Sequence, residues 1–208
     1  MKVTLKWITP DAEAMIAYIA RVSNPDNQDN RGTAPRLLRF LIRNKHWSPF
    51  EMANMCVEIE TTRAISAQLI RHRSFAFQEF SQRYAPIPRA EVPRLRRQDL
   101  KNRQSSHDDL PDKLVQQHQE RIGALMSQMH DEYEALLSDG VAKETARGIL
   151  PMCSPTRIYM NGTVRSWLHY CDVRCPEATQ LEHREVADAV RALLREQLPS
   201  IAEAMWPE

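Results

Sequence analysis

Apolar residues recur at two spacings along this chain, and the two spacings predict both strands and helices. Val3, Leu5 and Trp7 alternate with polar residues near the N-terminus, which is typical of a half-buried strand. The segment MCVEIETT at 55–62 alternates in the same way and predicts a second strand with one polar face. The sequence therefore predicts strands that are separated from each other by helical segments.

Three helices are predicted in the first third of the chain. Thr9, followed by proline, predicts the cap and first position of a helix that ends near residues 23–25. Pro35 opens the second helix, and the turn around Pro49 closes it, because the residue before a proline disfavours helical geometry. Thr62 caps the third helix. The expected apolar faces carry Met15, Ile16, Ile19 and Val22 in the first helix and Leu37, Leu38, Leu41 and Ile42 in the second.

The second half of the chain is predicted to be mostly helical. A long helix should run from Asp112 to Ser138 and stop at Gly140. Segments 163–174 and 178–198 should form two more helices, the last one stopped by Pro199. The residues of the long helix that are expected in the core are Ile122, Leu125, Met126, Met129, Tyr133, Leu136 and Leu137.

Residues 85–111, called the excursion below, lack a clear period. Proline, charged and polar residues dominate this segment, so we expect it to be mobile or only partly helical. Its basic residues are expected to form a solvated face: Arg94, Arg96, Arg97, Lys101 and Arg103. Together the elements predict an α+β fold, in which residues 1–208 form one mostly helical domain with a small central β-sheet.

Composition narrows the classes of partner. The chain has 28 Lys and Arg residues against 27 Asp and Glu, and its formal net charge of +1 argues against binding to duplex DNA or to an anionic membrane. The N-terminus lacks the apolar core of a signal peptide, and no stretch reaches the roughly 20 apolar residues of a membrane span. We therefore expect a cytoplasmic protein.

Cysteine and glycine usage constrains the chemistry. The four cysteines include no C-x-x-C pair and are expected to be reduced. Cys171 and Cys175 with His169 could begin a zinc site, but a second ligand pair at finger-like spacing is missing, so we expect no metal. No glycine-rich phosphate loop is present, so arginine side chains would have to bind any phosphate.

The segment RHRSFAFQEFSQRY at 71–84 gathers charged residues among phenylalanines. Gln68 and Arg71 share a helical face just before it. If the chain is extended after Gln78, a second polar row follows: Glu79, Ser81 and Arg83. Such rows could bind a base or sugar while an arginine fork binds a phosphate. The alternative is a basic helix end beside core phenylalanines.

This segment also fits R-H-R followed by seven residues and a serine, and on that signature the chain resembles the flavin-dependent thymidylate synthases. Further segments agree in residues and spacing: ARVS, HWSPFE, the AR and LP pairs within 146–151, and RSWLHYCDVR before TQLEHRE. The resemblance implies methylation of dUMP at uracil C5, with methylenetetrahydrofolate as one-carbon donor and electrons from FAD that NADPH has reduced. It also implies a homotetramer whose active sites are shared between subunits.

The resemblance further implies roles for individual residues. Arg174 would stabilise the deprotonated uracil N3 and so increase electron density at C5. No base is evidently placed to activate Ser81, which is assigned to substrate binding. The nucleotide would be bound by Gln68, Arg71, Glu79, Ser81, Arg83, Arg147 and Arg174. The flavin would be contacted by His46, Ser48, Glu51, Arg71, His72, Arg73, Arg165 and His169.

Four positions depart from the residues common in the family, so their contacts need not carry over unchanged: Ala76, Gln78, Thr163 and His169. One alternative function is C5-methylation of another uracil nucleotide, such as UMP. A cysteine-dependent thymidylate synthase would need a thiolate in a Pro-Cys-His context, which no cysteine here has. A non-enzymatic alternative is binding of single-stranded RNA through arginines and aromatic rings, which the near-zero net charge disfavours.

Overall fold

The computed structural model describes residues 1–207 and contains one four-stranded sheet and one two-stranded sheet. The strands are β1 (Lys2–Ile8), β2 (Asn54–Thr62), β3 (Ala76–Glu79), β4 (Arg97–Gln98), β5 (Ser106–His107) and β6 (Pro155–Thr163). The larger sheet is antiparallel with the order β1-β2-β6-β3, and β4 pairs with β5. The predicted α+β class is confirmed.

Helices account for most of the regular structure. They are α1 (Ala12–Ala20), α2 (Ala34–Arg43), α3 (Arg63–Leu69), α4 (Asp112–Ser138), α5 (Lys143–Ala146), α6 (Val164–Arg174), α7 (Leu181–Gln197) and α8 (Pro199–Met205). Short 3-10 turns include Ser48–Glu51 and Arg147–Ile149. Within residues 1–207, none of the helices has the length and apolar character needed to span a bilayer.

The main core lies between the large sheet and the last helices. β2 and β6 pair along their whole lengths, and their alternate residues, such as Ile59 and Met160, are fully buried. Trp167 of α6 is also buried, and its Nε1 donates to the backbone oxygen of Met55 at 2.9 Å. This bond pins α6 to β2 and so fixes the helix that ends at Arg174.

The strand predictions hold for β1 and β2 but fail in one detail. Trp7 was expected on the buried face, yet 47% of its surface is exposed. The pairing register of β1 shifts between Leu5 and Trp7, and such a bulge changes which face the following residues occupy. The central strand β6 was not predicted, although Thr156, Ile158, Met160 and Gly162 alternate in its sequence and are all buried.

The helix predictions hold for α2 and for the bounds of α4, but Thr9 is not a helix cap. α1 begins at Ala12, and the Oγ1 of Thr9 instead accepts a hydrogen bond from the backbone N–H of Asn54 at 2.9 Å. Pro199 does not stop the last helix; it opens α8, because a helix start does not need the N–H that proline lacks. Some residues expected in the core are exposed instead: Met15 41%, Val22 71% and Leu125 59%.

The excursion contains no helix; its residues 97–107 form a short hairpin of β4 and β5, and the rest is irregular. Arg94 pairs with Asp108, and Arg97 pairs with Asp109 at 2.6 Å, so these charges lie in water as predicted. Arg96 contradicts the prediction, because only 11% of its side chain is exposed. Its Nη2 donates to both carboxylate oxygens of Glu182, at 2.7 and 2.8 Å, and attaches the excursion to α7.

Candidate active site

The R-H-R motif lies in the turn between α3 and β3, next to the end of α6. His72 is half-buried, and the Nε of Arg174 donates to its Nε2 at 2.9 Å. This contact joins two residues that stand 102 positions apart in the chain. The motif and the late arginine, which the sequence resemblance treats as parts of one site, are therefore in direct contact.

His72 accepts this bond as a neutral imidazole. Burial lowers its pKa from 6.5 to about 4, with further contributions from Arg174, His169 and Arg71. A neutral ring that accepts through Nε2 carries its proton on Nδ1. Arg174 therefore has a partner without a negative charge, and within residues 1–207 its terminal nitrogens make no other hydrogen bond or ion pair.

Two further rings pack against His72. Its ring centroid lies 5.1 Å from that of Tyr170 and 6.0 Å from that of His183. Both partners are fully buried, and both the Tyr170 hydroxyl and the His183 Nε2 lack a hydrogen-bond partner within residues 1–207. Burial raises the pKa of Tyr170, and burial with the nearby Arg174 lowers that of His183 to about 4. These two polar residues were not predicted as part of the site.

A cavity of about 390 Å³ lies between the turn Ser48–Glu51 and α6. Three predicted flavin residues line it, namely Glu51, Arg165 and His169. The Nη1 of Arg165 donates to the Oε1 of Glu51 at 2.6 Å. His46 precedes this turn and Ser48 is its first residue; both are exposed and neither lines the cavity.

Glu79 points into the protein. Its Oε1 accepts hydrogen bonds from the hydroxyls of Ser66 at 2.7 Å and Thr156 at 2.9 Å, and it lies 2.5 Å from an Nη1 of Arg63. Only 19% of the Glu79 side chain is exposed. The carboxylate therefore joins α3 to β6, a structural role that the sequence did not indicate.

The predicted polar row on an extended strand does not form. β3 ends at Glu79, and the chain turns after Ser81, whose carbonyl oxygen accepts from the backbone N–H of Tyr84 at 3.0 Å. Arg83 pairs with Glu144 of α5 at 2.7 Å, where both side chains are exposed. Ser81 and Arg83 therefore lie on the side of α5 and Arg147 rather than beside Arg174.

Several arginines of the candidate site are available to an anion. Within residues 1–207, the guanidinium groups of Arg71, Arg73 and Arg147 make no hydrogen bond and no ion pair. Arg71 and Arg73 flank His72 in the sequence and are exposed. Unpaired guanidinium forks suit phosphate oxygens, which they can bind through two nitrogens at once.

A larger cavity of about 850 Å³ is not lined by any of the predicted site residues. It lies between the excursion, the end of β2 and the start of α7, where Glu60, Phe80, Arg89 and Glu182 contribute to its walls. We place the candidate site at the R-H-R motif, which contains His72 with its lowered pKa and the unpaired Arg71 and Arg73, and at the smaller cavity, which Ser74 next to the motif lines.

The smaller cavity has the volume and the polar lining of a ligand site. Its volume of about 390 Å³ lies near the lower end of the roughly 300–1,000 Å³ that ligand sites occupy. Ser74, Ser166 and Arg165 supply polar groups to its walls, and Trp47 supplies an aromatic surface. In the described part of the chain, no group of three or more His, Cys, Asp or Glu side chains is placed to hold a metal ion.

Comparisons with known proteins agree on one family. The family model described as "Thymidylate synthase complementing protein" matches residues 4–200. The chain is 50% identical to a flavin-dependent thymidylate synthase of Synechocystis sp. over 193 residues, which are 93% of this chain and 89% of the relative. It is 49% identical to a probable flavin-dependent thymidylate synthase of Paramecium bursaria Chlorella virus 1 over 195 residues, 93% and 90% of the two chains.

Solved structures share the fold. A UMP/dUMP methylase, PolB from Streptomyces cacaoi, bound with 5-Br dUMP, is similar with a TM-score of 0.85 and 25% identity, over 98% of this chain and 93% of that one. The same methylase bound with 5-Br UMP gives a TM-score of 0.87 and 26% identity, over 98% and 92% of the two chains.

Proposed function

Because this chain belongs to the thymidylate synthase complementing protein family, we propose that it is the methyltransferase that converts dUMP to dTMP. The methylene carbon of methylenetetrahydrofolate becomes the methyl group on uracil C5, and the C5 proton leaves. FAD, when bound, supplies the two electrons that reduce this carbon, and NADPH restores them. The products are dTMP, tetrahydrofolate and NADP⁺.

The observation that carries the proposal is the contact between Arg174 and His72. The Nε of Arg174 is occupied by His72, so its terminal nitrogens can face a ligand. A positive charge there favours the anion of uracil N3 and so lowers the pKa of N3. Each unit by which this pKa falls corresponds to about 1.4 kcal/mol of stabilisation of the anion. We assign Arg174 to this role in raising electron density at C5.

The flavin would be held around the smaller cavity. Glu51, Arg165 and His169 would contact its adenosine side, and Arg71, His72 and Arg73 would contact the flavin from the motif. His46 and Ser48, on the adjacent turn, would complete the contacts. The aromatic and arginine groups found there support this assignment.

The nucleotide would be bound by residues from two sides of the chain. Arg174 contacts His72, which follows Arg71 in the motif, and Gln68 contacts His183, which packs on His72. Arg83, in contrast, contacts α5, and Arg147 follows that helix. Neither of the two cavities is lined by Ser81, Arg83 or Arg147. We therefore propose a homotetramer of single-domain chains, in which one copy supplies the Arg174 side and another supplies the Arg147 side. A sedimentation mass near one chain would contradict this assembly.

The reaction is tested by the absorbance of the flavin and by the formation of dTMP. The purified protein should show a flavin band, or acquire it with added FAD, and NADPH should bleach the band without oxygen, faster when dUMP is present. With methylenetetrahydrofolate, ¹⁴C-labelled dUMP should then yield labelled dTMP. Arg174→Ala should retain the flavin band but form little dTMP, and Cys153→Ala should remain active. A colourless protein that binds no FAD would overturn the proposal.

UMP is the second candidate substrate, because the similar methylase of Streptomyces cacaoi is described as acting on UMP and dUMP and was solved with 5-Br UMP. The two nucleotides differ by one ribose hydroxyl, which a single contact can distinguish. A competition assay with equal concentrations of both substrates separates the candidates. Formation of ribothymidine monophosphate in excess over dTMP would favour UMP.

A further inference from the structure

A continuous chain of polar side chains runs from the excursion to the candidate site. Arg96 donates to Glu182, and the Nε2 of Gln180 donates to the Oε2 of Glu182 at 2.9 Å. The Nε2 of Gln68 then donates to the Oε1 of Gln180 at 2.7 Å. The Oε1 of Gln68 lies 3.2 Å from the Nδ1 of His183. Four consecutive contacts thus connect a partly buried ion pair to a buried histidine.

The ion pair fixes the direction of every bond in this chain. Burial acts to raise the pKa of Glu182, but hydrogen bonds from Gln180 and the backbone, together with Arg96, hold it below its usual value. An ionised carboxylate only accepts, so Gln180 must turn its nitrogen towards Glu182 and its oxygen towards Gln68. Gln68 must therefore present its nitrogen to Gln180 and its oxygen to the imidazole of His183.

His183 must then be the donor. Only the tautomer with its proton on Nδ1 can donate to the Gln68 oxygen. The ring is fully buried, and its Nε2 has no partner within residues 1–207. A buried acceptor without a partner is destabilising, so packing alone does not account for a histidine at this position.

We propose that His183 and Gln180 are positioning residues that hold the amide of Gln68 in one orientation, so that Gln68 turns its free N–H donor towards a bound nucleotide. With its oxygen bonded to His183 and one N–H bonded to Gln180, Gln68 keeps one N–H free. It therefore selects an acceptor atom, such as a carbonyl or phosphate oxygen. This inference rests on the proposed function, in which Gln68 contacts dUMP.

A double-mutant cycle tests the coupling. The dissociation constant of dUMP is measured by calorimetry for the FAD-loaded wild type, His183→Phe, Gln68→Ala and the double variant. Loss of one oriented hydrogen bond corresponds to about tenfold weaker binding. In the wild-type background, His183→Phe should therefore weaken dUMP binding about tenfold. In the Gln68→Ala background the same change should weaken binding less than about twofold. Equal weakening in both backgrounds, or no weakening at all, would overturn the proposal.

A conservative variant separates positioning from packing. In His183→Asn the side-chain nitrogen stands near the position of Nδ1, so dUMP affinity should largely recover. In His183→Gln the nitrogen stands near Nε2 instead, and this matched control should not recover. Recovery by His183→Gln but not by His183→Asn would overturn the proposal. Urea denaturation of each variant identifies any that fail to fold, and for these the tautomer of His183 in the wild-type protein decides instead.

The orientation can be tested without any nucleotide. Nitrogen NMR of ¹⁵N-histidine-labelled protein, with His183 assigned by its loss in His183→Phe, should show a neutral ring protonated at Nδ1. Protonation at Nε2 would overturn the positioning role while leaving the proposed reaction untouched. Wild-type protein that binds no dUMP would instead overturn the proposed function. Unchanged dUMP affinity in Gln68→Ala would overturn only the contact between Gln68 and the nucleotide.

Discussion

Acidification should destabilise the folded protein through two histidines beside Arg174. Burial is the first cause that lowers the pKa of both His72 and His183 from 6.5 to about 4, and the charge of Arg174 adds to it. In the unfolded chain both rings would bind a proton near pH 6.5. Between about pH 4 and 6.5 the unfolded state therefore holds more protons, and the free energy of unfolding must rise with pH.

The magnitude follows from these values. Folding lowers the pKa of each histidine from 6.5 to about 4. A change from pH 7.5 to 5.5 therefore lowers the free energy of unfolding by about 1.4 kcal/mol per histidine. Two histidines would give nearly 3 kcal/mol, but His72 is only half-buried and solvent screens part of its interaction. We expect about 2 kcal/mol in total. Asp99 does not contribute, because its pKa is lowered to about 2 and its stabilisation is lost only in more acidic solution.

The assay is urea denaturation at pH 7.5, 6.5 and 5.5, at one protein concentration. His183→Phe should lose roughly half of the pH dependence of the wild type, because one proton-binding site of the unfolded state is removed. His118 is exposed on α4, and His118→Phe is the matched control that should retain the wild-type slope. The reasoning would be refuted if the free energy of unfolding changed equally with pH in wild type and His183→Phe, or if the protein were more stable at pH 5.5 than at 7.5.

Three other predictions concern stability and local opening. Glu79→Ala removes the acceptor of two hydroxyls and a guanidinium, so urea denaturation should show a loss of about 3 kcal/mol, and a loss below about 1 would contradict its structural role. In Gly162→Ala the new Cβ would lie 2.7 Å from a ring carbon of Phe75, so the free energy of unfolding should fall by about 1–3 kcal/mol in the same assay. Gly148→Ala, with open space around its Cβ, should lower it less. Arg96→Met should speed cleavage of the excursion by trypsin, because the ion pair that attaches the excursion to α7 is lost. Arg94→Met removes an exposed ion pair and should not speed cleavage. Equal cleavage rates in the two variants would contradict the attachment through Arg96.

Local patterns were enough to predict the elements with strong periodicity. The bounds of α4 agree with the prediction because its ends carry local signals, including Gly140, whose φ of 85° is left-handed. Trp7 was placed wrongly because a bulge depends on how the partner strand pairs, which no local pattern reveals. Thr9 was placed wrongly because its hydroxyl is used by Asn54, 45 residues away.

The candidate site could be predicted as a set of residues but not as an arrangement. The R-H-R signature identified His72, and the structure adds that it contacts Arg174. Arg96 was expected in solvent with its neighbours, since the sequence does not show that Glu182 of a distant helix would bury it. His183 carried no local signal beyond a histidine on an otherwise ordinary helix, and only its burial reveals a role.

The kind of partner each arginine has explains how the site can stabilise an anion. Three arginines near it pair with carboxylates: Arg63 with Glu79, Arg83 with Glu144 and Arg165 with Glu51. A carboxylate holds a guanidinium in place but cancels its charge. His72 holds Arg174 through a neutral ring nitrogen, so the geometry is fixed while the full positive charge remains. A carboxylate in place of His72 would also hold Arg174 but would cancel the charge that, in the proposed reaction, favours a uracil anion. The lowered pKa of His72 keeps the ring neutral and so preserves that charge.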